Sequence, residues 1–256
     1  MQRGPLSDVK RGHILNMLEK GKRSDGRGLS EFRQIEISTG GIETAEGSAR
    51  MKLGNTEVIV GVKMEVGEPF PDTPAKGVLT TNVELIPMAS EAFESGPPSP
   101  EAIELSRVVD RGIRESQMID LDKLCIEKGK EVWILYLDIY ALDYDGNLFD
   151  ASSIASVAAL RSTVVPAKRT GKGEDFPLPL KSLPISCTTV KIGEHLLLDP
   201  TLEEEEVSSV RLTVATDEQG DIRAMQKGGS GHFTQEEIRK IIDTSVEAGD
   251  TIRRRL

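Results

Sequence analysis

The sequence predicts an α+β (mixed α/β) fold made of two similar halves of sheet and helix. Three observations carry this expectation. Strand-like runs precede helical patterns, and that order occurs twice along the chain. The segment richest in glycine, proline and charge, "PAKRTGKGEDFPLPLKSLP", separates the two series. At 256 residues, 38% hydrophobic and 29% charged, the chain can bury a substantial core. We therefore expect a first lobe over residues 1–170, with an N-terminal helix, and a second over 171–256, together forming one compact domain.

Taken in order, "LSDVKRGHILNMLEKG" predicts a first helix. Ser7 or Asp8 would cap it, Val9, Ile14, Leu15 and Leu18 give it apolar spacing, and Gly21 ends it. A polar turn, "KRSDGR", then runs into a strand at "QIEIS". "GSARMKLGNTEVIVGVKMEV" reads as a hairpin about Gly54-Asn55, because alternating or apolar runs flank a turn dipeptide. After the loop "GEPFPDTPAKG" comes a strand, "VLTTNVELIPMA", and the proline-rich joint "ESGPPSP". A helix follows from about Pro100 to Met118, then a long strand over "EVWILYLDIYALDYDG" and a small-residue helix over "DASSIASVAALRSTVV". The second half predicts strands at "ISCTTVKIG", "HLLLD", "VSSVRLTVATD" and "DIRAMQKGG". It closes on a helix with Thr234 and Glu237 as a capping box and Ile238, Ile241, Ile242 and Val246 on one face.

Composition narrows the chemistry. No apolar run approaches the ~20 residues of a membrane span, and "MQRGPLSDVK" lacks the apolar core of a signal peptide. A cytoplasmic protein with no membrane partner is expected. Two cysteines and three histidines make a poor basis for a disulfide framework or a zinc site, and no cofactor is expected. The net charge of −10 argues against a generally basic surface, so any nucleic acid must be held at a restricted place.

Four stretches bear chemistry-prone residues. In "DYDGNLFDASSIA", Asp143, Asp145 and Asp150 do not fit a calcium loop, since Ile154 stands at the twelfth position. The plainer expectation is a turn followed by Asp150 or Ser152 as a helix cap. "QKGGSGHF" lacks a phosphate-loop pattern and reads as a flexible connection. Glu203 to Glu206 read as a solvated acidic turn. In "EAIELSRVVDRGIRES", Arg107, Arg111 and Arg114 fall within about 60° of one another on a helix, opposite an apolar face. That stripe suits phosphate oxygens. Local pairs Asp110–Arg114 and Arg111–Glu115 explain it equally well.

"KRSDGR", "GSARMKLGNTEVIVGVK" and "PEAIELSRVVDRGIRES" together resemble the RNase PH family, phosphate-dependent 3′→5′ exoribonucleases and their exosome relatives. The resemblance spans nearly the whole chain and implies an RNase PH-like fold, each lobe resembling the ribosomal protein S5 domain 2-like fold. The N-terminal helix and the "LDYDGNLFDASSIA" version of the midchain motif look most like the larger, non-catalytic members. Active members carry Q-A-D-G-G-T/S-R at midchain, where the hydroxyl and arginine hold attacking phosphate. This chain places Leu148 and Phe149 there. Active members also carry D-L-x-x-x-E-D-x-x-x-x-x-D; starting that register at Asp199 puts Glu204 and Glu205 on the acidic pair and Arg211 on the last aspartate.

The resemblance thus implies no catalytic and no metal-binding residue in this chain, and RNA binding through Arg107, Arg111 and Arg114. It implies a six-membered ring of alternating subunits, three copies each with a catalytic RNase PH-like exosome subunit, together with RNA-binding cap subunits and single-stranded RNA. Two rivals stand beside this expectation: an autonomous phosphorolytic exonuclease with an altered site, and a scaffold without RNA contact.

Overall fold

A computed structural model describes the backbone of residues 5–256 and side chains from Val9 onward. Helix α1 runs Pro5–Glu19, so Ser7 and Asp8, expected as caps, fall within its first turns, and their side chains lie outside the described residues. The strands β1 (Ile35–Thr39), β2 (Gly47–Leu53), β3 (Thr56–Gly67), β4 (Val78–Leu85), β5 (Cys125–Glu127) and β6 (Glu131–Asp143) build the first sheet. Its order is β1-β2-β3-β6-β4, with β5 paired to β6. Only β4 and β6 run parallel, which the intervening helix α2 (Pro100–Glu115) makes possible as a crossover. Leu53 pairs with Thr56 across Gly54-Asn55, as the hairpin pattern predicts.

The second sheet is wholly antiparallel, in the order β10-β9-β11-β12. Its strands are β9 (Ile185–Ile192), β10 (His195–Leu198), β11 (Val210–Thr216) and β12 (Ile222–Gly229). Short strands β7 (Val164–Val165) and β8 (Phe176–Pro177) pair within the joint between the sheets. Helix α3 (Leu148–Arg161) lies against β2 and β3 of the first sheet and β9 of the second. Because it touches elements on both sides, Ala151, Ser152, Ser153, Ala155, Ser156, Ala158 and Ala159 are all buried. Small side chains let backbones approach closely, so the composition of this helix follows from its place in the core. Helix α1 packs Ile14 and Leu18 on Val190, Ile192 and Leu197 of the second sheet.

Helix α2 begins with Ser99 accepting from the Ala102 amide and Pro100 in the first turn. It stops before Met118. The Gln117 amide bonds the Arg114 carbonyl and the Met118 amide bonds the Ile113 carbonyl, with Gln117 at φ 52°. This is the paired closure of a Schellman motif, with buried Met118 sealing it.

Helix α5 (Gln235–Arg253) has the expected Thr234–Glu237 capping box. Its most buried residues are Ile241, Ser245, Gly249 and Ile252, while Ile238, Ile242 and Val246 are half-buried. Gly249 explains the rotation. A Cβ there would sit 2.9 Å from Thr216 Oγ1, so the helix turns its smallest residue to the sheet.

Glu203–Glu206 do not form a solvated turn. They belong to a short helix, α4 (Leu202–Val207), in which Glu204 is buried. "QKGGSGHF" is not a loose connection either: Gly228 and Gly229 are the end of β12. A Cβ on Gly228 would lie 2.6 Å from the Arg211 guanidinium, so this glycine permits a close approach.

Candidate functional site

The α2 stripe forms because its inner face, Ala102, Leu105, Val108, Val109, Gly112 and Ile113, is buried against β4, α3 and β12. That leaves Arg107, Arg111 and Arg114 exposed on the outer face. Arg114 is held by Asp110 at 2.9 Å and 3.0 Å and also donates to the Leu79 carbonyl at 3.2 Å. The Asp110 carboxylate raises the Arg114 pKa above its ordinary value. Arg111 does not pair with Glu115 but donates to the neutral Gln226 amide oxygen at 2.9 Å. Among the described residues, Arg107 has no hydrogen-bond or ion-pair partner. The arginines border an open groove of about 250 Å³ that also includes Thr81, Ser106 and the carboxylates of Asp110 and Glu115. The structure therefore brings the three together and, among the described residues, leaves Arg107 and Arg111 without an ion-pair partner.

The midchain turn is built differently. Gly146 and Asn147 both take positive φ, 86° and 57°. Glycine is required at the first, since a Cβ would meet the Leu202 backbone nitrogen at 2.4 Å. Asparagine tolerates the left-handed region and, in place of the expected Asp150 or Ser152, caps α3 by accepting from the Asp150 amide. The three aspartates of this stretch disperse. Asp143 accepts from the Tyr144 amide and Asp145 from the Asn55 side chain. Asp150 is fully buried, accepting from the Thr188 amide and hydroxyl at 2.8 Å and 2.7 Å and from Asn147 Nδ2 at 2.8 Å. Burial pushes the Asp150 carboxyl up to about 7 against these bonds.

The helix N-terminus, where an anion would ordinarily be favoured, is occupied by the protein itself. Glu205 accepts from the Asn147 amide at 3.0 Å and from the Tyr144 hydroxyl at 2.8 Å. Burial raises the Glu205 pKa. Burial, with Glu205 second, also raises that of Tyr144. Leu148 is buried, and Phe149 packs against the main core. The Arg211 guanidinium lies 3.9 Å above the Phe149 ring and donates to Glu104 of α2 at 2.6 Å. The two sequence departures, Phe149 and Arg211, thus contact each other. They are separated by 62 positions in the chain but fill one place in the fold.

Sequence reasoning missed the charge network that fixes this turn. Arg33 holds Asp199 through two nitrogens at 2.8 Å and 3.0 Å and donates to the Asp145 and Gly146 carbonyls. The Asp199 carboxylate also accepts from Asn147 at 2.7 Å and from Arg27 at 3.0 Å. Arg23, fully buried, forks onto Glu204 and donates to the Leu198 carbonyl at 2.7 Å. The arginine-rich "KRSDGRGLSEFR" was a visible signal, but the carboxylates Glu204 and Asp199 that it holds lie more than 160 positions away. Among the described residues no group of three His, Cys, Asp or Glu side chains converges as a metal site would need.

These features can be set beside known proteins. The model of the 3′ exoribonuclease family, domain 1, matches residues 31–166, and that of domain 2 matches residues 182–248. The exosome complex component Rrp42 of Thermoplasma acidophilum is 58% identical over 248 residues, covering 97% of this chain and 95% of that protein. The protein of the same name from Methanocella arvoryzae is 50% identical over 256 residues, covering 100% and 98%. A chain of the Archaeoglobus fulgidus exosome with RNA bound to the active site superposes with a TM-score of 0.95 at 50% identity, covering 98% of this chain and 99% of that one. With both halves matched in order on the expected two-sheet architecture, the chain belongs to the RNase PH family of 3′ exoribonucleases.

Proposed function

We propose that the chain is a non-catalytic ring subunit of an archaeal exosome, supporting 3′→5′ RNA degradation and processing. In this reading it alternates with a catalytic RNase PH-like subunit, three copies of each. It orders that partner's active site, helps hold single-stranded RNA, and carries RNA-binding cap subunits. Residues 1–170 and 171–256 act as its two lobes, and it works in the cytoplasm. The reaction of the complex is attack by inorganic phosphate on the RNA 3′ end, releasing nucleoside diphosphates.

The observation that carries the reading is the Arg211–Phe149 contact. The positions that hold phosphate and a catalytic carboxylate in active relatives are packed against each other. An apolar ring cannot offset the charge of inorganic phosphate. The Glu205 carboxylate at the head of α3 repels a second anion. RNA contact is supported by Arg107 and Arg111, whose guanidinium groups carry no carboxylate partner among the described residues. Backbone phosphates would be gripped without base reading.

The test is phosphorolysis of polyadenylate with phosphate and magnesium. The chain alone is expected to release no ADP, whereas mixing it with its catalytic paralogue gives a ring-sized mass and ADP release above that of the paralogue alone. ADP release by the isolated chain at ordinary enzyme concentrations would overturn the proposal.

A further inference from the structure

On the β12 side of α2, next to the arginine stripe, runs a second groove of about 460 Å³. Its walls differ in character. Pro100, Ile103 and Val108 supply apolar surface, and Arg107, Arg111 and Gln226 supply the polar rim. Ile103 is 48% exposed although it is a large aliphatic residue on a helix whose inner face is already complete. Ile103, Arg107 and Arg111 lie four residues apart in turn, so they form one row along the helix at about 6 Å intervals.

Two features show what such a row can receive. Glu104, the carboxylate in this groove, is engaged by Arg211, so its charge is met from within the fold. Arg107 and Arg111 face the groove without any carboxylate partner among the described residues. The groove therefore has Pro100 and Ile103 as apolar surface at one end and two arginines further along it. A nucleotide has the matching polarity: a flat, largely apolar base and a phosphate.

The geometry points to a base-binding subsite at Pro100 and Ile103. It takes the nucleobase of a single-stranded RNA nucleotide whose phosphate lies on Arg107 and Arg111. This inference rests on the RNA reading above and deepens it. Aliphatic surface presents no hydrogen-bond pattern, so the subsite accepts any base and holds it by apolar contact alone. The contact separates two contributions to affinity. Phosphate contacts release counterions and depend on salt, whereas burial of a base on Ile103 does not.

The experiment uses the chain assembled with its catalytic paralogue, labelled oligoadenylate, and phosphate-free buffer so that the RNA is not consumed. Kd is measured across a salt series for wild type, Ile103→Ala, Arg107→Gln and Arg111→Gln. Ile103→Ala is expected to weaken binding roughly three- to ten-fold at every salt concentration, with the slope of log Kd against log salt unchanged. Each arginine variant is expected to lower that slope by about 1. In a set of oligonucleotides each carrying one abasic position, one position should lose its sensitivity to Ile103→Ala. An unchanged Kd for Ile103→Ala, a changed slope, or undiminished sensitivity at every abasic position overturns the subsite. If Ile103→Glu blocks ring assembly by mass while Ile103→Ala leaves Kd unchanged, the groove is a protein contact and the subsite is again overturned. Failure of the arginine variants to alter RNA binding would overturn the RNA reading itself, which keeps the two failures apart.

Discussion

The head of α3 and the outer face of α2 show how the same residue types lead to opposite outcomes. At the head of α3, charge is abundant but closed: Arg33, Arg27 and Asn147 converge on Asp199, Arg23 on Glu204, and Glu205 on the turn amide. On the outer face of α2, Arg107 and Arg111 form no ion pair among the described residues. A buried ionic group is tolerated only when paired and hydrogen-bonded, so the first region has little capacity left for a ligand. An exposed arginine is solvated at small cost and can exchange water for phosphate. Counting charged residues does not separate the two regions, because what distinguishes them is whether the charge already has a partner.

The largest test of this contrast is to open the closed side. Arg23→Ala leaves Glu204 buried without its counter-charge, and about 3–5 kcal/mol of stability should be lost in urea unfolding. A loss below 1 kcal/mol would mean that the network is not buried as described. Next comes Asp150, whose carboxyl lies at about 7 in the folded chain against an ordinary value of 3.8. A raised carboxyl pKa means the folded state binds the extra proton between those values, so the destabilisation is absent below about 4, grows as pH rises, and is complete above about 7. Asp150→Asn keeps the shape and supplies an N–H toward Thr188 Oγ1, which itself lies 2.9 Å from Thr213 Oγ1. Its stability relative to wild type should improve by on the order of 2 kcal/mol between pH 5 and pH 8. A pH-independent difference would contradict this assignment.

On the open side the effects are smaller in stability and larger in binding. Arg111→Glu with Arg114→Glu should leave the unfolding midpoint within ~0.5 kcal/mol of wild type. The assembled complex should lose RNA affinity, and its salt slope should fall by about 1 for each phosphate contact removed. The smallest effect is expected for Asp110→Asn, which releases Arg114 from an exposed pair worth only ~0.3–0.5 kcal/mol. Stability should barely move while RNA binds somewhat more tightly at low salt. Weaker binding by this variant would show that Asp110 orients Arg114 rather than competing for it.

Much was legible because it depends on local pattern. The hairpin at Gly54-Asn55, the long strand ending at Asp143 and the Thr234–Glu237 box follow from period, turn chemistry and capping. The arginine stripe was likewise visible, since residues at 107, 111 and 114 share a helix face by geometry alone. The acidic run misled for the opposite reason. Glu203–Glu206 look the same to a local pattern, yet Glu204 is buried against Arg23 and Glu203 is exposed. The α5 face was read from Ile238, Ile241, Ile242 and Val246, all at least half-buried, but hydrophobicity cannot indicate that Ser245 and Gly249 are buried beside them.

The sequence by itself determined the two-part α+β architecture, the family resemblance, the outward arginines and the placing of Leu148 and Phe149 at the midchain turn. Only the tertiary structure decided which charges are satisfied. It placed Arg211 on Phe149, Glu205 at the head of α3 and Arg33 on Asp199, across separations no residue pattern encodes. The physical reason is the range of the interactions. Helix faces and turns are set by neighbours a few residues apart, whereas ion pairs form between whatever the packed sheets bring within hydrogen-bond reach.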